Sequence, residues 1–212
     1  MDTVIFVDWE NLRYEIQKIQ RDPKQEDFNS TTVDYNNALH VMALVRSFLL
    51  EEEKLKKVFF YTAKPIEDDG NEEYAKNSAR ILRFLDDIVR LPFVATRLGI
   101  SKYRGVDPNG RPIIVQKQVD MLIGLDVAHV VYNRLAERII IFSKDTDLVP
   151  ALKCARINGI TTILANLKDG FDISHSLIKH SDMIRDRGCS DILKYMSDAL
   201  GQSRSESGYA TI

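Results

Sequence analysis

Three aspartates follow two strongly apolar stretches of the sequence. Asp8 comes directly after residues 3–7 (TVIFV), and Asp145 and Asp147 come shortly after residues 138–142 (RIIIF). Both stretches predict strands that are buried on both faces of a parallel sheet. Ligands bind outside the carboxyl ends of such strands. We therefore expect the three carboxylates to lie in one cleft at that edge of the sheet.

A fourth aspartate, Asp120, begins a predicted helix over residues 116–135 and is expected to reach the same cleft. Several carboxylates cannot share a cleft while ionised unless a cation compensates them. A set of oxygen ligands favours a hard ion, Mg²⁺ or Mn²⁺, which can activate water and stabilise the charge on a phosphodiester. Hydrolysis of nucleic acid follows as a hypothesis, with four candidate metal-binding and catalytic residues: Asp8, Asp120, Asp145 and Asp147.

Two residues of this set have further interpretations. Asn11 lies three residues beyond Asp8 and has the reach to orient Asp8, a water or a phosphate, so it joins the candidate catalytic residues. Asp147 precedes Pro150, which tolerates only a first-turn position in a helix. Asp147 is therefore also a candidate N-cap for a helix over residues 147–158. Capping accounts for one carboxylate of the pair and not for both.

The predicted helix over residues 116–135 carries another carboxylate within its apolar face. Asp126 lies three residues after Ile123 and four before Val130, which is helical spacing. An ionised carboxylate in that place is unfavourable unless it is paired or solvated, so the sequence predicts a partner for it. A core ion pair and a role as a site acid both stay open.

Residues 93–98 and 112–115 are strand-like and are separated by turn-forming residues, which predicts an antiparallel β-hairpin arm. Cations beside an aromatic ring suit a phosphate backbone and a stacked base, although an ordinary solvated hairpin collects the same residues. Lys117, on the first turn of the following helix, is a candidate for a phosphate contact or an ordinary surface lysine. The arm adds Tyr103 and four candidate nucleic-acid-binding cations: Arg97, Lys102, Arg104 and Arg111.

Alternating strands and helices predict a mostly parallel, doubly wound sheet in three layers, an α/β/α sandwich. We expect a domain over residues 1–188, followed over 189–212 by a C-terminal helix and a disordered tail. Asp34 is the expected N-cap of a helix over residues 35–53, after a polar loop over residues 18–34. The remaining predicted elements are strands over 58–62, 161–165 and 183–185, and helices over 35–53, 72–89, 172–179 and 191–200.

Composition restricts the class of protein. The chain has 212 residues, 44% of them hydrophobic, which suffices for one full core. A formal net charge of −2 argues against a polycation that coats nucleic acid, although local basic patches are compatible with it. Two cysteines outside any metal-binding spacing favour a reducing compartment, and the apolar runs are too short for a membrane span. We expect a cytoplasmic protein.

Three motifs carry a resemblance to a known family. They are FVDWEN at residues 6–11, KQVDMLIGLD at 117–126 and FSKDTDLVPAL at 142–152, followed by SHSLIKHSD at 174–182. In this order they resemble the NYN family of PIN-like nucleases, in particular its LabA-like (DUF88) branch. The resemblance implies a PIN-like fold and a metal-dependent ribonuclease acting on single-stranded or structured RNA. It also implies that the four aspartates bind the metal, with Asn11 beside them.

The resemblance leaves some features of the chain unassigned. Asp126 matches a recurrent family acid without an assigned role, and a homodimer is expected by family analogy alone. Trp9 and Glu10 stand where relatives usually have a small residue after the aspartate, and Lys144 replaces the glycine of the third motif. We expect these changes to narrow or recharge the mouth of the cleft.

Two other functions stay open at this point. The same fold can serve as a catalytically weak RNA-binding or regulatory module, because a fold does not fix a function. A phosphohydrolase of the haloacid dehalogenase kind also follows its first strand with an aspartate. It needs a second acid two residues later, which Glu10 supplies only loosely. The sequence lacks the usual signatures of NTPases, dinucleotide-binding proteins and serine hydrolases.

Overall fold

The strands of the molecule form one sheet whose central members are apolar along almost their whole length. The computed structural model describes residues 1–65, 72–106 and 112–206. Within them the strands are β1 (Asp2–Asp8), β2 (Lys54–Ala63), β3 (Val94–Val106), β4 (Pro112–Lys117), β5 (Arg138–Phe142), β6 (Thr161–Leu167) and β7 (Met183–Arg187). They lie in the order β4-β3-β2-β1-β5-β6-β7. All neighbouring pairs are parallel except β3 and β4.

Helices cover both faces of the sheet, so the fold is the predicted three-layer α/β/α sandwich. Within the described residues they are α1 (Trp9–Gln20), α2 (Ala38–Arg46), α3 (Glu72–Val89), α4 (Val119–Tyr132), α5 (Val149–Ile157), α6 (His175–His180) and α7 (Cys189–Glu206). One face carries α1, α2, α3 and α7, and the other carries α4, α5 and α6. The predicted apolar face of α4 is buried, from Val119 to Val131.

The chain reverses its direction of travel across the sheet between β1 and β5. From β1 it proceeds through β2 to β3, and it later returns to the other side of β1 to add β5, β6 and β7. Such a reversal opens a crevice at the carboxyl ends of the two strands. Val7 pairs with Phe142 across β1 and β5, so Asp8 and Ser143 leave the sheet side by side at this crevice.

Helix α1 has no counterpart among the predicted elements. Its buried face consists of Leu12, Ile16 and Ile19 at helical spacing, and Asp8 caps it. The prediction missed this helix because Trp9, Glu10 and Asn11 were interpreted only as motif residues at the end of the first strand. The expected loop over residues 18–34 correspondingly starts later, after Gln20.

The predicted helix over residues 35–53 is much shorter, because its N-cap is Asn37 and not Asp34. Asn37 Oδ1 accepts from the backbone nitrogens of Leu39 (2.9 Å) and His40 (3.3 Å). Asp34 instead accepts from the backbone nitrogen of Asn36 (2.8 Å). The helix ends at Arg46, and the following residues form turns that lead to β2.

The hairpin arm and the C-terminal helix agree with the sequence. The first half of β3 pairs with β2, and from Ile100 onward it pairs with β4 as an antiparallel arm. Helix α7 contributes Cys189, Ile192 and Met196 to the core on one face of the sheet. A boundary at residue 188 remains a prediction, and residues 207–212 of the expected tail lie outside the described residues. In the described part of the chain, every helix is too short or too polar to span a membrane.

Candidate metal centre at the carboxyl edge of the sheet

Asp8 is a buried carboxylate at the end of β1, only 4% exposed. Its Oδ1 accepts from the backbone nitrogen of Asn11 (3.3 Å), and its Oδ2 accepts from Asn11 Nδ2 (2.7 Å) and Ser143 Oγ (3.1 Å). Burial raises the pKa of Asp8 to about 6 although these hydrogen bonds lower it, and the charge of Asp120 raises it further. Asp8 is thus held firmly and lies close enough to Asp120 to sense its charge.

Three other aspartates form a tight group. Asp120, Asp145 and Asp147 each offer a carboxylate oxygen, and these oxygens all lie within 4.8 Å of one another. Asp120 lies in the first turn of α4, and the other two belong to the segment after β5. Of the four acids predicted to meet, three therefore form this carboxylate trio, and Asp8 is their neighbour through Asp120.

The segment after β5 is a 3₁₀ turn, Thr146–Leu148, whose N-cap is Asp145. Asp145 Oδ1 accepts from the backbone nitrogen of Asp147 (2.9 Å). Helix α5 starts only at Val149, without a side-chain cap. The interpretation of Asp147 as a helix cap is therefore wrong, and its carboxylate belongs to the trio.

No cation of the described residues forms an ion pair with the trio. Among the described residues, no ion pair of 4.0 Å or less includes any of the three carboxylates. Burial raises the pKa of Asp120, and the negative charges of Asp145 and Asp147 raise it further. The three groups therefore repel one another, and a divalent cation among them would relieve that repulsion.

Lys144, the residue that departs from the third family motif, turns into the protein. Its side chain is 9% exposed, and its ammonium contacts the carboxylate of Glu15, Asn166 Oδ1 (3.0 Å) and the carbonyl of Phe171. Its backbone nitrogen donates to Asn11 Oδ1 (3.3 Å). We call this set the Lys144 clamp. The charge of Lys144 is matched in the interior, so the expected recharging of the cleft mouth by this lysine is wrong.

Asp126 has the partners that its place in an apolar face predicts. Its Oδ2 accepts from Tyr61 Oη (2.8 Å) and from Arg97 Nε (2.9 Å). Burial, and then the charge of Asp126, raises the pKa of Tyr61, so the phenol keeps its proton and donates. The guanidinium of Arg97 also lies over the ring of Phe59, 5.1 Å from its centroid. The structure thus places Asp126 and Arg97 together in an ion pair.

The remaining nucleic-acid-binding candidates that the structure describes lie on the arm. Lys102 and Arg104 are exposed on β3, with Tyr103 between them at 59% exposure. Lys117 is also exposed, but it ends β4 and does not belong to the helix, because Gln118 takes a positive φ of 74° before α4 begins. Arg111 lies outside the described residues.

Glu10 and Trp9, the first two residues after Asp8, have partners of their own. Glu10 forms two hydrogen bonds with Arg13, from Nη2 (2.6 Å) and Nε (3.3 Å). Trp9 is buried and stacks on Phe84, with ring centroids 4.9 Å apart. The phosphohydrolase alternative requires Glu10 as its second acid, and this ion pair disfavours that role.

Two contributors to the site have no place among the predicted residues. Ser143 follows β5 directly beside Asp8, and its hydroxyl donates to the Asp8 carboxylate. The expected pairing of β1 with β5 is the signal that could have identified Ser143. Glu15 lies on α1, the helix that was not predicted, and forms an ion pair with Lys144.

Comparison with protein families decides the identity of the domain. A family model described as the NYN domain matches residues 2–186. The chain belongs to the NYN domain family. The family is one of PIN-like nucleases, which agrees with the three-layer fold.

Two further comparisons concern individual proteins. Among solved structures, this NYN domain is similar to a crystal structure of a protein of unknown function from Vibrio parahaemolyticus. The two share 18% sequence identity, the match covers 87% of this chain and 91% of that chain, and the TM-score is 0.47. No curated protein matches the chain.

The carboxylate trio of this NYN domain has the chemistry of a divalent-metal site. Its donors are carboxylate oxygens, without the imidazole or thiolate that zinc prefers. Hard ions such as Mg²⁺ and Mn²⁺ take oxygen ligands of this kind. The three residues could therefore hold a divalent metal.

Proposed function

We propose that this NYN domain is a ribonuclease that hydrolyses RNA phosphodiester bonds with Mg²⁺ or Mn²⁺. Asp120, Asp145 and Asp147 would hold the ion, and Asp8 would lie beside it. One observation carries the proposal: the three carboxylates lie within 4.8 Å of one another without a cationic partner among the described residues. When bound, the ion would offset the charge that accumulates on the phosphodiester and make the attacking water more acidic.

The residues around the trio would keep it in place. Asp8 accepts three hydrogen bonds, two of them from Asn11 and one from Ser143, so its carboxylate has little freedom to turn. Asn11 in turn accepts from the backbone of Lys144, which directly precedes Asp145. We therefore assign Asn11 a positioning role: it connects the carboxylate on β1 with the loop that carries two of the trio.

RNA would approach along the arm. Lys102 and Arg104 offer exposed positive charge for phosphates, and the exposed ring of Tyr103 offers a surface on which a base can stack. Lys117 lies at the base of the arm, three residues before Asp120 in the sequence, where a cation suits a phosphate near the metal. Arg97 would act less directly, because Asp126 already matches its charge.

Finer assignments rest on the sequence alone. The three motifs support placement in the LabA-like (DUF88) branch of the family. A cytoplasmic location and a homodimer complete the proposal. Light scattering of the purified chain tests the dimer, since a monomeric mass at all concentrations contradicts it.

The test of the activity compares labelled single-stranded RNA with DNA of the same sequence, each with Mn²⁺, with Mg²⁺ and with a chelator. Removing a ligand of the ion forfeits several kcal/mol of transition-state stabilisation, so Asp145→Asn should lower RNA cleavage at least about 100-fold. Asp86→Asn is the matched control, because Asp86 is an exposed aspartate on α3 outside the trio. It should cleave like the wild type.

Each other outcome has a definite meaning. Metal-dependent cleavage that persists in Asp145→Asn contradicts the assignment of the trio. Binding of RNA without cleavage under any metal condition replaces the ribonuclease with the RNA-binding or regulatory module. Equal cleavage of RNA and DNA retains the nuclease and removes its restriction to RNA.

A further inference from the structure

A pocket of about 240 Å³ lies between α1, the residues before α2, and α3. Its lining includes Trp9 and Glu10, the first two residues of α1, and Asp8 is the N-cap of that helix. The pocket therefore begins at the N-terminus of α1, on the face of the sheet that α1 shares with α3.

The buried side of the pocket is aromatic. Trp9 and Phe84 stack on each other with an interplanar angle of 21°, and both are almost fully buried. Tyr35 adds a third ring to the lining and is only partly buried. Because the rings of Trp9 and Phe84 are covered by each other and by Phe60, Tyr35 is the ring of the lining that an aromatic heterocycle could stack on.

The exposed side of the pocket is polar and carries a net positive charge. Arg13 is matched by Glu10 through two hydrogen bonds. Arg80 is exposed, and its Nη2 donates to the neighbouring Asn77 Oδ1 (3.2 Å), a neutral group. Among the described residues Arg80 forms no ion pair of 4.0 Å or less, so its charge is available to an anion. The amide of Asn36 adds both a donor and an acceptor to the lining.

The pocket combines aromatic rings, neighbouring amides and a cation at its rim, which suit the base, the sugar and the phosphate of a nucleotide respectively. Small-molecule pockets usually measure about 300–1,000 Å³, so 240 Å³ favours one nucleotide unit over a longer segment. We propose that this pocket binds one nucleotide of the RNA strand that passes the carboxylate trio, with the base beside Tyr35 and a phosphate beside Arg80. The substrate strand in this statement rests on the proposed function.

Trp9 makes the proposal directly testable, because it is the single tryptophan of the chain and lines the pocket. Its fluorescence emission is followed while the full chain, in chelator, is titrated with a short single-stranded RNA, with adenosine and uridine 5′-monophosphates, and with inorganic phosphate. We expect a saturable change in emission with RNA and none with phosphate. A change with the monophosphates identifies the free nucleotide as a second source of the same ligand chemistry.

Variants separate the pocket from the rest of the surface. Arg80→Ala removes a charge-assisted contact and should weaken RNA binding about tenfold. Arg83→Ala is the matched control, since Arg83 is an exposed arginine on the same helix that does not line the pocket, and should change the affinity less than about twofold. Ile81→Phe, which narrows the pocket from its partly exposed rim, should abolish the change in emission while circular dichroism stays that of the wild type.

The outcomes distinguish this inference from the ribonuclease proposal. RNA that is cleaved with Mn²⁺ but leaves the emission of Trp9 unchanged overturns the nucleotide pocket and keeps the nuclease. An emission change that Arg80→Ala weakens, in a protein that never cleaves RNA, keeps the pocket and overturns the nuclease. Equal effects of Arg80→Ala and Arg83→Ala also overturn the pocket.

Discussion

The buried carboxylate of Glu53 and the largely exposed carboxylate trio of this NYN domain have opposite surroundings. The carboxylate of Glu53 accepts two hydrogen bonds from Arg185 (2.6 and 2.9 Å), one from Arg138 (2.9 Å) and one from the backbone nitrogen of Leu50 (3.0 Å). The carboxylate trio receives no such cation from the described residues, although its members lie within 4.8 Å of one another. The chain itself neutralises Glu53, whereas the trio could hold a metal ion.

The pKa values follow the same division. Burial raises the pKa of Glu53, but the hydrogen bonds from Arg185, Leu50 and Arg138 outweigh it and lower the pKa to about 2. The pKa of Asp120 is raised by burial and by its acidic neighbours. Unfavourable charge is tolerated at functional sites and removed elsewhere. The difference therefore teaches which carboxylates of this fold are structural.

The largest effect on stability should come from removing the negative charge of Glu53. Glu53→Gln leaves Arg185, whose side chain is 6% exposed, without its charge partner, which should lower the free energy of unfolding by about 3–5 kcal/mol. Urea unfolding measures this. Glu137→Gln is the control, because the side chain of Glu137 is 65% exposed and its loss should have little effect. Equal losses in the two variants would contradict the structural role of Glu53.

A second prediction concerns Asp8 and pH, in the presence of a chelator. Its pKa rises from 3.8 in the unfolded chain to about 6 in the folded state, so the folded state binds the proton more tightly. The resulting stabilisation is complete below pH 3.8 and is lost as the pH rises through about 6. Relative to Asp8→Asn, the free energy of unfolding should fall by about 3 kcal/mol across this window. Parallel pH profiles of the two proteins would refute the shift.

A third prediction concerns the stabilisation of the folded protein by a metal ion bound to the trio. A divalent ion that binds only the folded state stabilises it by about 2.7 kcal/mol at 100 times its dissociation constant. Mg²⁺ or Mn²⁺ should therefore raise the unfolding midpoint of the wild type and of Glu53→Gln, but not that of Asp145→Asn. Potassium chloride of equal ionic strength is the control. The same increase in Asp145→Asn would place the ion elsewhere.

The smallest effect on stability should come from breaking the ion pair between Arg97 and Asp126. The side chain of Arg97 is 40% exposed, so Arg97→Ala should lower the free energy of unfolding by only about 1 kcal/mol or less. A double-mutant cycle with Asp126→Asn measures the coupling. A loss comparable to that of Glu53→Gln would show that solvent exposure does not separate the two kinds of ion pair.

The sequence predicts those parts of the fold that depend on local pattern. The apolar runs of β1 and β5 and the apolar face of α4 are visible as periodicity, and they alone bring Asp8 and the trio to one edge. Helix α1 escapes prediction because the motif residues after Asp8 obscure its start. The N-cap at Asn37 escapes because Asp34 is an equally good candidate by residue type.

Long-range charge pairing is the part that the sequence cannot supply. Lys144 and Glu15 are separated by 129 positions, and neither has a local pattern that selects the other. The resemblance to the family predicted a lysine that alters the cleft, whereas tertiary packing turned its side chain inward. The sequence predicts that Asp126 needs a partner, but it does not show which residue that is. Arg97 and Tyr61, the two partners, come from two different strands.

The Lys144 clamp ties the geometry of the site to a distant stretch of backbone. The ammonium is held by the carbonyl of Phe171, and the amide of Phe171 in turn donates to Glu15 (3.1 Å). A proteolytic nick or an inserted residue between β6 and α6 would release that carbonyl and, with it, the loop of Asp145 and Asp147. The spacing of the carboxylates therefore depends on an intact connection that contributes no ligand to them.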